Sequence, residues 1–101
     1  MTDTQQHLVG PVVRGFDPEI VDALRAAIEQ DNPDRTIHVE DRHAYVRIHA
    51  EKFLRVTRTS LEAAAGRAVP LPSLEPAISA FAGRMQYVGD EELVWYLERE
   101  D

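Results

Sequence analysis

The sequence predicts an α+β domain in which helices cover one face of an antiparallel sheet, a two-layer sandwich with the order β-α-β-β-β-α-α-β-β. Three observations predict this class. A helix start at Asp17-Pro18 precedes apolar residues at helical spacing, three alternating stretches lie between residues 37 and 57, and two more flank Gly89-Asp90. Because alternation places apolar side chains on one face only, the pattern is typical of an antiparallel sheet covered on one side.

The size and composition of the chain predict a single soluble domain. It has 101 residues, 44% of them hydrophobic, a formal charge of −7 and no cysteine. We expect a flexible segment over residues 1–7 and one domain over residues 8–101. No apolar stretch resembles a signal peptide or a membrane span, so we expect a cytoplasmic protein without membrane contact. The negative charge argues against nucleic-acid binding, because lysine and arginine neutralise phosphates there.

The first apolar stretch predicts a strand that is interrupted at Gly10-Pro11. Two apolar pairs, Leu8-Val9 and Val12-Val13, flank this point. Because Pro11 has no backbone N–H to donate, we expect either a bulge at Gly10-Pro11 or an edge strand.

The second element is predicted to be a helix that begins at Asp17-Pro18. Asp17 suits the N-cap and Pro18 the first helical position. Since Pro33 disfavours helical geometry at Asn32, the helix is predicted to end in the polar segment 31–34. Its core-facing stripe contains Ile20, Val21, Leu24, Ala27 and Ile28.

Three short strands are predicted to follow as an antiparallel meander. The inward side chains are Ile37 and Val39 in the first strand, Ala44, Val46, Ile48 and Ala50 in the second, and Leu54 and Val56 in the third. The opposite face is polar with aromatic side chains inserted. It carries His38, Glu40, His43, Tyr45, Arg47, His49, Phe53, Arg55 and Thr57.

Two short helices are predicted after the meander. Thr59 and Glu62 have capping-box spacing, and Gly66 can end the helix in the left-handed conformation. Ser73 is predicted to cap another helical segment, which ends at Gly83. That segment carries Leu74, Ala77, Ile78 and Phe81.

A hairpin is predicted to close the fold. Strands over residues 84–88 and 92–98 flank Gly89-Asp90, a pair suited to a tight turn. We expect Trp95 in the core.

The sequence contains no catalytic or metal-binding motif that we recognise. It lacks His-Glu-x-x-His, a glycine-rich phosphate loop and a Gly-x-Ser-x-Gly turn. His43 and His49 share a predicted face, but six residues along a strand separate them by roughly 20 Å, too far to hold one ion. We therefore expect no metal, no cofactor and no catalytic residue in this chain.

Charge is distributed in blocks along the chain. Residues 17–34 carry six acidic and one basic residue, residues 35–67 four acidic and seven basic, and residues 88–101 six acidic and one basic. Such blocks are typical of solvated faces, and they can also steer a protein partner. A polar sheet face with aromatic side chains and no catalytic group favours a protein that acts by contacting another protein.

Several short stretches, in a fixed order from Leu8 to Tyr96, together carry a family resemblance. They are Val9-Gly10-Pro11-Val12-Val13-Arg14, Asp31-Asn32-Pro33, Val39-Glu40-Asp41-Arg42, Ala44-Tyr45-Val46-Arg47-Ile48, Ala50-Glu51, Thr57-Arg58, Leu61-Glu62, Gly66-Arg67, Ser79-Ala80-Phe81-Ala82-Gly83 and Trp95-Tyr96. With these stretches the chain resembles the effector, or regulatory, components of bacterial multicomponent diiron monooxygenases. It is most similar to toluene monooxygenase effectors, and more distantly to phenol hydroxylase and methane monooxygenase regulators.

The resemblance implies a non-enzymatic effector with an α+β fold and no cofactor of its own. Such a protein binds the hydroxylase component near its diiron centre and tunes O₂ activation, coupling and regioselectivity in the oxidation of an aromatic hydrocarbon. We expect a monomer when the chain is free. Two alternatives stay open: a small-ligand-binding α+β module, and a small acid–base enzyme using His38, Glu40, Asp41 and His43.

Two predicted hydroxylase contacts lie at turns or interruptions. Asn32 and Pro33 follow the first helix, and Asn32 matches a family position expected to point toward the hydroxylase. A helix-ending Asn before Pro explains the same pattern without a partner. Gly10 and Pro11 fit either a contact surface or an interruption that prevents edge-to-edge aggregation.

The remaining predicted contacts lie on the sheet and before the hairpin. Ala82 and Gly83 fit a small-residue surface that allows close approach, beside Phe81 in the core. Tyr and Arg dominate interface hot spots, and an ordinary solvated face would contain them too. The anchors predicted on the polar face are Tyr45, Arg47 and Arg55.

Overall fold

The computed structural model describes residues 7–15 and 17–97, which form antiparallel sheets and two α-helices. The α+β class and the placement of helices on one face are confirmed. Of the segment predicted to be flexible, residues 1–6 lie outside the described residues, as does position 98 of the last predicted strand. In chain order the elements are β1 (Leu8–Arg14), α1 (Pro18–Asp31), β2 (His38–Asp41), β3 (Tyr45–Glu51), β4 (Phe53–Thr57), α2 (Arg58–Ala65), a 3₁₀ turn (Leu71–Leu74), β5 (Ile78–Ala82), β6 (Arg84–Val88) and β7 (Glu92–Tyr96).

The strands form a four-stranded sheet in the order β2-β3-β1-β5 and a three-stranded sheet in the order β4-β7-β6. One core joins them, because Val9 of β1, Leu54 of β4 and Trp95 of β7 are all fully buried within a single cluster. The apolar stripe of α1 packs into the same cluster and lies against β4 and α2. Within the described ranges, neither helix has the length and apolar character needed to cross a bilayer.

Local signals at both ends of α1 and in the hairpin are confirmed. The Asp17 carboxylate accepts a hydrogen bond from the Ile20 N–H at 3.2 Å, and α1 ends at Asp31. Gly89 has a φ of 61° in the turn between β6 and β7. Trp95 lies in the core as predicted.

The predicted meander is wrong beyond β3. β2 and β3 pair as expected, but β4 pairs with β7 in the other sheet. The chain leaves the first sheet at Lys52, whose φ of 70° turns the backbone. A lysine gives no sequence signal for this conformation, so the alternation of residues 53–57 predicts another strand of the same sheet. Ala44, expected to face inward, is exposed before β3 begins.

The edge-strand alternative for β1 is also wrong, because β1 lies between β3 and β5. Pairing with β3 is registered at Val9 and Val12 but not at the two residues between them. The missing N–H of Pro11 is therefore tolerated in a central strand. A bulge does occur, but between Val12 and Val13 and against β5.

The predicted helix from Ser73 to Phe81 is replaced by the 3₁₀ turn and β5. Ile78–Ala82 forms β5 instead, and Pro76, inside the predicted helix, has no backbone N–H for a helical hydrogen bond. Phe81 is 45% exposed on this edge strand, so its assignment to the core is wrong.

The N-cap of α2 lies two residues before the predicted cap, Thr59. This N-cap is Thr57, whose hydroxyl accepts a hydrogen bond from the Ser60 N–H at 3.2 Å, so Thr59 lies inside the helix. Gly66 ends α2 with a φ of 73°, as predicted. Glu62 caps nothing at the helix start and instead binds Arg58 and the Val69 N–H.

Candidate partner interface

The side of the four-stranded sheet that faces away from the core carries most of the polar side chains predicted for it. Directly paired residues of an antiparallel sheet point to the same side, so the register defines rows across the strands. We call this surface the outer face. One row consists of Glu40, Arg47, Val12 and Ala80. The pairs His38–His49 and Gly10–Ala82 lie next to this row, and Arg14 pairs with Tyr45 on its other side.

Arg47 lies at the centre of the outer face and is held only weakly. Its guanidinium carbon lies 5.6 Å from the centre of the Tyr45 ring, and its Nε lies 3.8 Å from a carboxylate oxygen of Glu40. Arg42 forms the closer hydrogen bonds to that carboxylate and is the main reason why the pKa of Glu40 is lowered. Since exposed ion pairs contribute little, a partner can redirect Arg47 at small cost.

His49 was expected among exposed polar side chains, but it is only 8% exposed. Gly10 is opposite it on β1, and a Cβ there would lie 3.0 Å from His49 Cδ2 and 2.1 Å from the Ile48 carbonyl oxygen. The ring therefore lies against the β1 backbone, where Gly10 has a φ of 142°. Burial is the main reason why the pKa of His49 is lowered, and Arg47 and His38 contribute.

A second polar region joins the end of α1 to the start of β4 and α2. We call it the α1–β4 clamp, and it contains Asp31, Asn32, Arg55, Thr57 and Ser60. Asn32 is 5% exposed. Its Nδ2 donates to the Ile28 carbonyl at 2.6 Å and to the Arg55 carbonyl at 2.7 Å, and its Oδ1 accepts from the Arg55 N–H at 3.2 Å. The Asn32 amide thus bonds inside the chain.

The other side chains of the α1–β4 clamp also form hydrogen bonds within the chain. The Asp31 carboxylate accepts from the Thr57 N–H at 2.7 Å, the Thr57 hydroxyl at 3.0 Å and the Ser60 hydroxyl at 2.6 Å. The Arg55 Nε donates to Glu92 at 2.5 Å, which ties the clamp to β7. These bonds fix α1 against the second sheet.

The structure divides the predicted contact residues among three environments. Tyr45, Arg47 and Ala82 belong to the outer face. Gly10 and Pro11 are buried within the same sheet. Asn32 and Arg55 belong to the α1–β4 clamp, beside the exposed Pro33.

Gly83 is exposed, but its conformation is set by packing. It links β5 to β6 with a φ of 83°, and a Cβ there would lie 2.6 Å from Val9 Cγ1 and 2.7 Å from the Tyr96 carbonyl oxygen. Gly83 therefore allows the chain to cross from one sheet to the other.

The exposure of Phe81 and the burial of His49 were not predicted from the sequence. The available signal for a strand at Phe81 was the pair of residue types Ile78 and Phe81, both of which are enriched in strands. Burial of His49 depends on Gly10, which lies in the neighbouring strand β1 but far away in sequence. The alternation places His49 on the same face as the exposed Arg47 and therefore predicts an exposed ring.

The described residues also form concave regions at the surface. Two lie along the α1–α2 packing, with volumes of about 470 and 460 Å³, and are lined largely by alanines such as Ala26 and Ala64. A cleft of about 340 Å³ on the outer face is lined by Leu8, Glu40, Arg47, His49 and Ala82.

Two of the carboxylates considered for acid–base chemistry, Glu40 and Asp41, form structural contacts instead. Glu40 binds Arg42, and the Asp41 carboxylate accepts from the His43 N–H at 2.9 Å in the β2–β3 turn. Within residues 7–15 and 17–97, histidine and carboxylate side chains form no group of three that could hold a metal ion.

Comparison with known proteins gives a consistent family match. The MmoB/DmpM family model matches residues 7–96. The chain is 44% identical over 94 residues to the effector subunit of the alkene monooxygenase system of Xanthobacter autotrophicus, which covers 93% of this chain and 90% of that protein.

Solved structures show the same fold. The chain is similar to a protein in a structure of a phenol hydroxylase–regulatory protein complex, with a TM-score of 0.71, 26% identity, and coverage of 90% of this chain and 99% of that one. Regulatory protein B of soluble methane monooxygenase has a TM-score of 0.69 at 21% identity, covering 97% of this chain and 70% of that one. At this lower identity the likeness is one of fold.

Proposed function

Because the chain belongs to the MmoB/DmpM family, we propose that it is the effector of a multicomponent monooxygenase and acts by binding the hydroxylase of that system. The effector is a regulatory component and not a catalytic subunit. The observation that supports this most strongly is the 44% identity, over 93% of the chain, to an effector subunit of an alkene monooxygenase. The similarity to a protein solved in a phenol hydroxylase–regulatory protein complex supports the hydroxylase as its partner.

The proposed mechanism is differential affinity. An effector changes the reactivity of its partner only if it binds one conformation more tightly than another. A coupling of about 1–3 kcal/mol shifts the conformational equilibrium by roughly 5- to 150-fold. In this proposal the hydroxylase holds the diiron centre, and the effector alters O₂ activation, coupling and regioselectivity by stabilising one arrangement around it.

The outer face is the proposed contact surface. Tyr45 and Arg47 are residue types that dominate interface hot spots, and Arg47 is held by one weak ion pair and one ring contact. Ala82 and Gly83 allow close approach at one end. Pro33 is a further proposed contact, whereas the internal bonds of Asn32 and Arg55 favour a structural role.

Two substrate classes are proposed for the assembled system. The resemblance to toluene monooxygenase effectors favours an aromatic hydrocarbon. The relative from the alkene monooxygenase system favours an alkene as the second candidate. A cytoplasmic location is proposed from the absence of cysteine together with the composition.

Reconstitution tests this function directly. The chain is titrated into purified hydroxylase and reductase, and substrate turnover and the product ratio are measured. We expect turnover to rise to a plateau with added chain, and we expect no product from the chain alone. Unchanged rate and product ratio over the whole titration would contradict the proposal, and product formed by the isolated chain would favour the acid–base enzyme.

A further inference from the structure

The cleft on the outer face is built from all four strands of its sheet. Leu8 comes from β1, Glu40 from β2, Arg47 and His49 from β3, and Ala82 from β5. Its volume of about 340 Å³ is near the lower limit of ligand pockets, so it suits one side chain better than a large molecule.

The His49 ring lines the cleft with an incomplete hydrogen-bond complement. Among the described residues, no group forms a hydrogen bond with its Nε2, which is shielded from solvent. An unsatisfied buried polar atom is destabilising, and native proteins contain few of them. This nitrogen is therefore the feature of the cleft that most clearly lacks a partner.

The protonation state of His49 indicates what that partner must supply. The nearby Gly10 backbone raises the pKa of the His49 ring. Burial outweighs this and favours the neutral ring. A neutral imidazole has one acceptor nitrogen, and the unpartnered Nε2 is the nitrogen that we assign to that role.

We propose that the cleft receives one carboxamide side chain, from an Asn or Gln of the hydroxylase, which donates to His49 Nε2 and accepts from Arg47. The inference rests on the proposed function. A carboxamide has both a donor and an acceptor, which matches a histidine lone pair beside a guanidinium. The cleft is bordered by one anion and one cation, Glu40 and Arg47, which favours an uncharged group.

The charged side chains that line the cleft can move to admit such a group. The side chains of Arg47 and Glu40 are 46% and 44% exposed and approach each other only to 3.8 Å. Moving them costs little, because exposed ion pairs contribute little to stability. Insertion of the carboxamide then satisfies Nε2 and shields Arg47 from solvent.

The test compares His49→Phe with His38→Phe in binding to the hydroxylase. The two histidines are direct cross-strand partners, and the same substitution removes the ring nitrogens from each. Calorimetric titration is expected to show a dissociation constant raised about 3- to 10-fold for His49→Phe, and a change within about twofold for the exposed His38→Phe. Thermal unfolding of each variant confirms that it is folded.

A second variant and a spectroscopic signal keep the test independent of the folding of His49→Phe. Ala82→Leu fills the cleft from the edge strand and is also expected to weaken binding. In the wild-type chain, the ¹⁵N resonance of His49 Nε2 is expected to move toward that of a hydrogen-bonded acceptor on addition of hydroxylase. Free acetamide is expected to leave this resonance unchanged.

The outcomes separate this inference from the proposed function. If both cleft variants bind like the wild type while reconstituted turnover still responds to the chain, the cleft proposal alone fails. If acetamide moves the Nε2 resonance as the hydroxylase does, the cleft binds a small molecule and the proposal is overturned. If the wild-type chain does not bind the hydroxylase, the proposed function fails as well.

Discussion

The outer face and the α1–β4 clamp contain similar polar side chains but use them differently. In the clamp, the amide of Asn32 and the carboxylate of Asp31 form close hydrogen bonds within the chain. On the outer face, Arg47 has one ion pair at 3.8 Å, and His49 Nε2 is unsatisfied among the described residues.

This difference separates residues that stabilise the fold from residues available to a partner. Hydrogen bonds already made inside a protein must be broken before they can serve an interface, whereas weakly held groups can be redirected. The position of a residue at a turn, or the polar character of its side chain, does not show which of these two roles the residue has.

The largest effect on stability is expected at Gly10, because β1 packs closely against β3 at this position of the outer face. Gly10→Ala places a Cβ 2.1 Å from the Ile48 carbonyl oxygen at a φ of 142°. Strain and overpacking are expected to lower the free energy of unfolding by about 3 kcal/mol or more. Gly66→Ala is the control, because its φ is also positive but its Cβ would meet open space, and it should cost about 1 kcal/mol. Equal losses in urea denaturation would contradict the steric explanation.

Asn32→Ala should break the clamp and leave the interface intact. It removes three hydrogen bonds and leaves the Arg55 backbone groups unpaired. We expect a loss of about 2–4 kcal/mol in unfolding free energy. Hydroxylase affinity, measured where the variant is folded, should be unchanged. The exposed Asp34→Ala is the control and should change neither quantity. Loss of affinity with normal stability would instead make Asn32 a direct contact.

Arg47→Ala should weaken binding to the hydroxylase and leave the stability of the chain nearly unchanged. Because its ion pair with Glu40 is exposed, unfolding free energy should change by less than about 0.5 kcal/mol. Hydroxylase affinity should fall about tenfold, because Arg47 is a proposed hot spot. Arg25→Ala, which removes a similarly exposed arginine paired with Glu29 on α1, should leave affinity unchanged. Equal affinity losses would show a general charge effect.

The smallest effect is a pH dependence of stability due to His49. Its folded pKa lies below its usual value of 6.5, so the unfolded chain binds a proton more readily. Stability is therefore fully present above pH 6.5 and should fall as the pH decreases below it. The titratable or charged groups near the ring are His38, Glu40 and Arg47, while β1 and β5 contribute Gly10 and Ala82 opposite it. Thermal unfolding from pH 8 to 5.5 should show a smaller decrease in His49→Phe; an unchanged decrease would assign the effect elsewhere.

Features governed by neighbouring residues were predictable from the sequence. Asp17-Pro18 and the Asn32-Pro33 stop set the ends of α1, and Gly89 set the hairpin turn. The split between β3 and β4 was not predictable, because it depends on a positive φ at Lys52.

The candidate site was predictable in composition but not in geometry. Tyr45 and Arg47 were identified by alternation, and the family resemblance supplied the partner. The structural role of Asn32 depends on Arg55, 23 residues away in sequence, and the burial of His49 depends on Gly10 in another strand. No local pattern contains such contacts.

Hydrogen–deuterium exchange of the chain with and without hydroxylase tests the central claim most directly. The account predicts slower exchange at the edge strands of the four-stranded sheet, β2 and β5, with little change along the exposed side of α1. Slower exchange along α1 and α2, with none at β2 or β5, would contradict it and place the partner on the helical face.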